Sequence, residues 1–194
     1  MELLLIRHAE PERIELDEGV ADPGLTTVGQ EQARQLARHL AVMDIDAVYT
    51  SPMRRALETA EEMAAAHSLE PVITDGLAEF DHGSSFYVPI DQLREEGGDR
   101  WDALLEGRWG PDGSLDPATF QGRVVATVET IARAHRGGRA ALVCHGGVIN
   151  VYFGHVLGLE FPLFFEPAYT SISRALFHQT GHHQLASLNE TPHL

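Results

Sequence analysis

The sequence predicts an α/β fold: a three-layer sandwich with a mostly parallel central sheet, an antiparallel edge hairpin and a lid-like insertion. Three observations carry that reading. Short continuous apolar runs, Leu3-Leu4-Leu5-Ile6 and Ala140-Ala141-Leu142-Val143, suit strands buried on both faces, as in a parallel sheet covered by helices. Segments with helical periodicity alternate with the strands. Two stretches near the end of the chain alternate apolar and polar residues around a short polar turn. With 194 residues, 43% of them hydrophobic, the chain is long enough for one domain spanning 1–194, with an insertion at about 80–116.

The elements follow in order. Glu2 to His8 is the first strand, and residues 9–25, acidic and interrupted by Pro11, Gly19, Pro23 and Gly24, form a loop. A helix begins near Thr26-Thr27, with Gln30 spaced for a capping box and Ala33, Leu36, Ala37 and Leu40 on its apolar face. Ile45 to Thr50 is a second strand. Ser51-Pro52 supplies an N-cap and a first-turn proline for a helix whose inner face is Ala56, Ala60, Met63, Ala64 and His67. Pro71 to Asp75 is a short third strand. Residues 80–116, with Gly83, Gly97-Gly98, Gly107, Gly110 and Gly113 around Trp101 and Trp109, are too irregular for core layers and read as a lid. Asp116-Pro117 opens a long helix with Phe120, Val124, Val128 and Ile131 inward, stopped at Gly137-Gly138. Arg139 to His145 is the next strand, and a helix follows Gly146-Gly147 to about Leu157. Ile172 to His178 and His183 to Leu188 form the hairpin around Gln179 to His182.

Composition narrows the function. Twenty-nine acidic residues against fourteen basic ones give a net charge of −15, and every basic residue is arginine. So acidic a surface repels nucleic acid and anionic membranes, so neither is expected as a partner. Any phosphate site must be built from Arg and His. A single cysteine excludes a disulfide scaffold, and the longest aliphatic run is far short of a membrane span. The chain enters its first strand directly after Met1-Glu2, with no basic leader, so a soluble, cytoplasmic setting is expected.

Strand ends in such a sheet lie on one edge, where sites form. Arg7-His8 ends the first strand, and His145 ends a later one, where Gly146-Gly147 leaves room close to the backbone. Arg55 lies in the first turn of the helix after the second strand, and Glu79 follows the third. Two histidines, two arginines and a carboxylate thus reach one edge from four elements. A second Arg-His pair, Arg38-His39, sits within a helix with no strand before it and reads as a solvated face.

The ordered set Leu5-Ile6-Arg7-His8-Ala9-Glu10, Leu25-Thr26 through Gly29 to Gln32-Ala33, Tyr49-Thr50-Ser51-Pro52-Met53-Arg54-Arg55-Ala56 with Thr59-Ala60, Leu77-Ala78-Glu79 and Val143-Cys144-His145-Gly146-Gly147 resembles the histidine phosphatase superfamily. This is the group containing phosphoglycerate mutases and broad-specificity phosphatases. The resemblance implies that His8 is a nucleophile forming a phosphohistidine. Arg7 and Arg55 then hold phosphoryl oxygens as planar charged forks, with His145 as a further donor. Gly146 falls in the same substrate-binding set. Glu79 matches the general acid, with Asp75, Asp81 and His82 as nearby alternatives. The arginine directly before the alanine meets phosphate in that family, which selects Arg55 over Arg54. No metal and no cofactor is implied, and the partner is a small phosphorylated substrate; the oligomeric state stays open.

The rivals are a phosphoglycerate mutase-type isomerase and a non-catalytic phosphate-binding member. The loop Ala9-Glu10-Pro11-Glu12-Arg13-Ile14-Glu15 departs from the family pattern and argues against a mutase, leaving Arg13 either solvated or facing a remote substrate group. Phe86, Tyr87, Trp101 and Trp109, with Arg94, Arg100 and Arg108, either close over a ligand or anchor the insertion. Cys144 reads as a buried thiol. His178, His182 and His183 lack a metal-ligand pattern and read as hairpin surface.

Overall fold

The computed structural model describes residues 1–160, 163–178 and 180–194; Gln179 of the expected hairpin turn lies outside the described residues. The elements are β1 (Glu2–Arg7), β2 (Ile14–Glu15), α1 (Thr27–Leu40), β3 (Ala47–Thr50), α2 (Arg54–Ala66), β4 (Val72–Ile73), β5 (Phe86–Tyr87), α3 (Ile90–Glu96), α4 (Asp99–Leu105), α5 (Pro117–Ala134), β6 (Arg139–Cys144), α6 (Gly146–Leu157), β7 (Ile172–Phe177) and β8 (His183–Glu190). The main sheet runs β4-β3-β6-β1-β7-β8, parallel through its first four strands and antiparallel in the closing hairpin.

The three layers follow from the period of two along the central strands. Leu3 and Leu5 of β1 and Ala140, Leu142 and Cys144 of β6 point to one face, where they pack with Phe120, Val124 and Val128 of α5 and Val148, Tyr152 and Phe153 of α6. Leu4, Ile6, Ala141 and Val143 point to the other and meet Leu36 and Leu40 of α1 and Ala56, Ala60 and Met63 of α2. Among the described residues no helix is long and apolar enough to cross a membrane.

Several boundaries differ from the sequence reading, each for a local reason. The α1 cap is Thr26, whose hydroxyl accepts from the Gly29 amide, so Gln30 stands one position past a capping box. Gly29 is obligatory there, since a Cβ would fall 2.0 Å from the Glu10 carbonyl oxygen. Helix α2 starts at Arg54, not after Ser51, because the Ser51 hydroxyl is engaged elsewhere and Met53 is extended. Its first amide is held instead by Asp22 from the acidic loop, 2.9 Å away. That loop carries β2, which pairs with β5 of the insertion and ties the two segments together. The third strand shrinks to two exposed residues at the sheet edge before a 3-10 turn at Asp75–Leu77.

The insertion is a pair of short helices rather than irregular chain, and Trp109 roots it. The indole is 2% exposed, donates to the Leu104 carbonyl at 3.1 Å, and packs on Phe80 and Phe120 with ring centroids 5.1 and 5.6 Å away. Trp109→Ala should lower unfolding free energy by about 3–5 kcal/mol in a urea titration, the usual cost of deleting a buried aromatic. A loss below about 1 kcal/mol would show that the indole does not anchor the insertion.

Candidate active site

Three adjacent strand ends build the floor. The His8 amide donates to the Cys144 carbonyl at 2.9 Å and the Ser51 amide to the Val143 carbonyl at 3.0 Å, which brings the residues after β1, β3 and β6 side by side. The imidazoles of His8 and His145 are 2% and 1% exposed, with ring centroids 5.1 Å apart.

Each ring is fixed through one nitrogen. His8 Nδ1 lies 2.7 Å from the Ala9 carbonyl oxygen, which can only accept, so the proton sits on Nδ1 and Nε2 keeps its lone pair. The Ala9 amide is pinned by Thr59 Oγ1 at 3.0 Å, and that hydroxyl donates to the Arg55 carbonyl at 2.8 Å. One threonine thereby couples the His8 ring to the helix bearing Arg55. His145 Nε2 lies 2.7 Å from Ser51 Oγ, which also accepts from the Met53 amide at 3.3 Å. One Ser51 lone pair is taken by that amide, and a Ser51 proton turned to Nε2 leaves His145 with Nδ1–H as a donor.

The guanidiniums are held from behind. Arg55, 1% exposed, uses Nη2 on both Asp81 oxygens at 3.0 and 3.1 Å, and its Cζ lies 4.4 Å from the Tyr87 ring centroid. Arg7 donates through Nη1 to the Pro167 carbonyl and lies 4.1 Å from the Tyr169 ring centroid. Arg7 Nε, Arg55 Nε, Arg55 Nη1 and His145 Nδ1 are buried without a hydrogen-bond partner. Arg7 and Arg55 line the same cavity as His8, and donors left unpaired there are chemically suited to a polyoxygen anion. Burial first, then the charges of Arg55 and Arg7, hold both imidazoles well below the ordinary histidine range, so they are neutral at physiological pH.

Glu79 accepts from the Gly147 amide at 2.7 Å and the Phe80 amide at 3.0 Å. Burial above all, with the neighbouring Asp81 carboxylate, raises its pKa to about 7 against the pull of those amides and of Arg55. Gly147 leaves room for this carboxylate: a Cβ there would stand 2.3 Å from Glu79 Oε1, whereas at Gly146 it would meet only Pro167 Cδ, at 3.9 Å. Arg7, His8, Arg55, Glu79 and Gly146 line one cavity of about 390 Å³ that opens toward the insertion.

Of the sequence-predicted residues, Arg7, His8, Arg55, Glu79 and Gly146 meet at this cavity, and His145 packs on the His8 ring without being one of its lining residues. Arg54 stays outside, paired with Glu58 at 2.7 Å. Of the alternatives to Glu79, Asp81 is occupied with Arg55, and His82 is exposed. Arg13 is exposed, as one of its two expected readings has it, paired there with Glu15 and Glu96 and not on the cavity wall. Cys144 is buried, which raises its thiol pKa. Among the described residues no three His, Cys, Asp or Glu side chains are placed to hold a metal ion. Sequence reasoning missed Tyr169 and Pro167, which lie in a stretch without periodicity, and took Ser51 for a helix cap.

The histidine phosphatase superfamily (branch 1) model matches residues 3–191. A phosphoserine phosphatase from Hydrogenobacter thermophilus is 27% identical, covering 100% of this chain and 94% of its own length. A probable phosphoglycerate mutase from Photorhabdus laumondii is 31% identical over 82% of this chain and 76% of its length. Among solved structures, a mutant phosphoserine phosphatase from Entamoeba histolytica in complex with phosphoserine superposes with a TM-score of 0.80 at 27% identity, covering 100% of this chain and 98% of its own.

The raised pKa of Glu79 has a signed consequence for stability. The folded state keeps a proton that the unfolded chain gives up near pH 4.5, so this group's contribution declines as pH rises from 4.5 to about 7. Glu79→Gln removes that dependence, and the wild-type-minus-variant difference in unfolding free energy should fall by up to about 3 kcal/mol across the window. A difference constant between pH 5 and 8 in urea titrations would contradict the assignment.

Proposed function

This chain belongs to the histidine phosphatase superfamily, and on that premise we propose that it hydrolyses small phosphate monoesters through a covalent phosphohistidine on His8, without a metal. The observation that carries the proposal is the set of four buried, unpartnered donors, on Arg7, Arg55 and His145, around the free Nε2 of His8.

The phosphoryl group seats its nonbridging oxygens on those donors, and permanently charged guanidiniums hold the charge that builds on them. His8 Nε2 attacks phosphorus in line; the P–N bond forms as the P–O bond to the leaving group breaks. A neutral imidazole is required for that attack, and the burial that depresses the His8 pKa supplies it. Glu79, with a pKa of about 7, carries a proton often enough near neutrality to deliver it to the departing alkoxide. The resulting carboxylate then takes a proton from water as that water attacks phosphorus, the P–N bond breaks, and phosphate leaves with Glu79 reprotonated. Asp81 holds Arg55 in place and has no proton-transfer role.

A mutase must hold a second anionic group of its substrate, and the loop cation Arg13 is spent on Glu15 and Glu96, which favours hydrolysis. A non-catalytic member would lack one of the catalytic positions, whereas Arg7, His8, Arg55, Glu79 and His145 are all present.

With p-nitrophenyl phosphate, His8→Ala should lose about 10³-fold or more in kcat, and a chelator should leave wild-type turnover unchanged. Acid quenching of wild type should trap an acid-labile phosphoenzyme that His8→Ala does not form. Retained turnover in the variant, or inhibition by chelator, would refute the mechanism. Glu79→Gln should lower kcat/KM, which reports phosphoryl transfer to His8 and not the shared hydrolysis of the phosphoenzyme, by about 10²–10⁴-fold on alkyl phosphates and much less on p-nitrophenyl phosphate, whose leaving group needs no proton. Equal losses on both esters would remove Glu79 from the acid role.

A further inference from the structure

The cavity is far larger than one phosphoryl group, and its outer part has a chemistry of its own. Beyond the anion socket its wall is Phe80, Val88, Leu93, Leu104, Trp109 and Phe165. Leu104 and Trp109 are themselves buried in the core cluster, so this apolar surface is fixed by packing. Arg7, Arg55, Arg100 and Arg108 are the arginines that line the cavity among the described residues. The first two belong to the socket. Arg100 is paired with Glu15 at 2.9 Å and lies 4.0 Å from the Phe86 ring centroid, and Arg108 is paired with Glu106 at 2.7 Å. At the rim Arg94 is taken by Glu166 at 2.9 Å. Glu79, Asp81, Asp99, Asp112 and Glu166 line the same space with carboxylates.

From this we infer that, given the phosphatase reading above, the enzyme selects monoesters whose leaving group is apolar and uncharged, and discriminates against leaving groups that carry a carboxylate. An aliphatic or aromatic leaving group displaces water from apolar wall, which is favourable. A carboxylate in the same place gives up its hydration among other carboxylates with no free cation in reach, and a buried unpaired charge is costly. The exposed pairs of Arg100 and Arg108 are individually weak, so the discrimination depends on the acidic surroundings keeping both cations engaged.

The test compares kcat/KM for 2-phenylethyl phosphate, 4-phosphooxybutanoate and 3-phosphoglycerate. All three release a primary alkoxide, so intrinsic leaving ability is nearly matched and differences report the chamber. 2-Phenylethyl phosphate should exceed each of the others by about tenfold or more. Leu93→Arg, which replaces apolar surface on the half-buried lid wall by a further cation, should narrow that ratio by about tenfold, through loss on the apolar ester and gain on 3-phosphoglycerate. Arg108→Ser should leave the ratio unchanged. The proposal is overturned if 4-phosphooxybutanoate or 3-phosphoglycerate equals the apolar ester, or if Arg108→Ser selectively removes activity on the anionic substrates. p-Nitrophenyl phosphate separates the two levels of failure. If it is hydrolysed while the ranking inverts, only the chamber reading falls; if it is not, the phosphatase reading falls and takes the chamber reading with it.

Discussion

Two permanently charged guanidiniums buried at the carboxyl edge of a sheet are the constraint around which the site is arranged. Neither Arg7 nor Arg55 can shed its charge, so each has to be compensated from the protein side while keeping nitrogens free on the other. Arg55 is compensated by a carboxylate and an aromatic face, Arg7 by a carbonyl and an aromatic face. The same two charges, added to burial, keep the imidazoles of His8 and His145 neutral. Glu79 sits near enough to Arg55 to feel it, yet burial and Asp81 prevail and leave a carboxyl that titrates near neutrality. One electrostatic environment therefore leaves a neutral imidazole and a protonatable carboxyl side by side, the two states that the proposed mechanism requires.

The rigid and adaptable parts of the site come from different segments. Hydrogen bonds between neighbouring strand ends set the floor, and Thr59 and Ser51 fix the two rings from the flanking turn and helix. The chamber above is supplied by the insertion, docked through Trp109 and through the short β2–β5 pairing with the acidic loop. Of the apolar wall, Leu93 and Leu104 lie on α3 and α4, helices separate from the strand ends and turns that hold the two imidazoles.

How much of this was legible in the sequence depends on how local each cause is. The continuous apolar runs of β1 and β6 announced a parallel sheet, and strand-terminal Arg7-His8 and His145 announced the edge at which the candidate site lies. What was not legible was set by contacts across the chain. Ser51 looks like a helix cap until His145, 94 positions away, claims its hydroxyl. Asp81 looks like a candidate acid until its fork with Arg55 is seen. Gly147 reads as room for a ligand, whereas it admits the Glu79 carboxylate. Tyr169 carries no sequence signal at all, because its place is set by contacts with Arg7 and His8, far off in the chain.

The claim on which the mechanism stands is that one tetrahedral anion fits between His8 and the free donors of Arg7, Arg55 and His145. A crystal structure with orthovanadate measures this directly. Vanadium is expected opposite His8 Nε2, with its oxygens about 3 Å from Arg7 Nε, Arg55 Nη1 and His145 Nδ1. Vanadate seated elsewhere in the cavity, or those nitrogens turned to protein partners, would contradict the account.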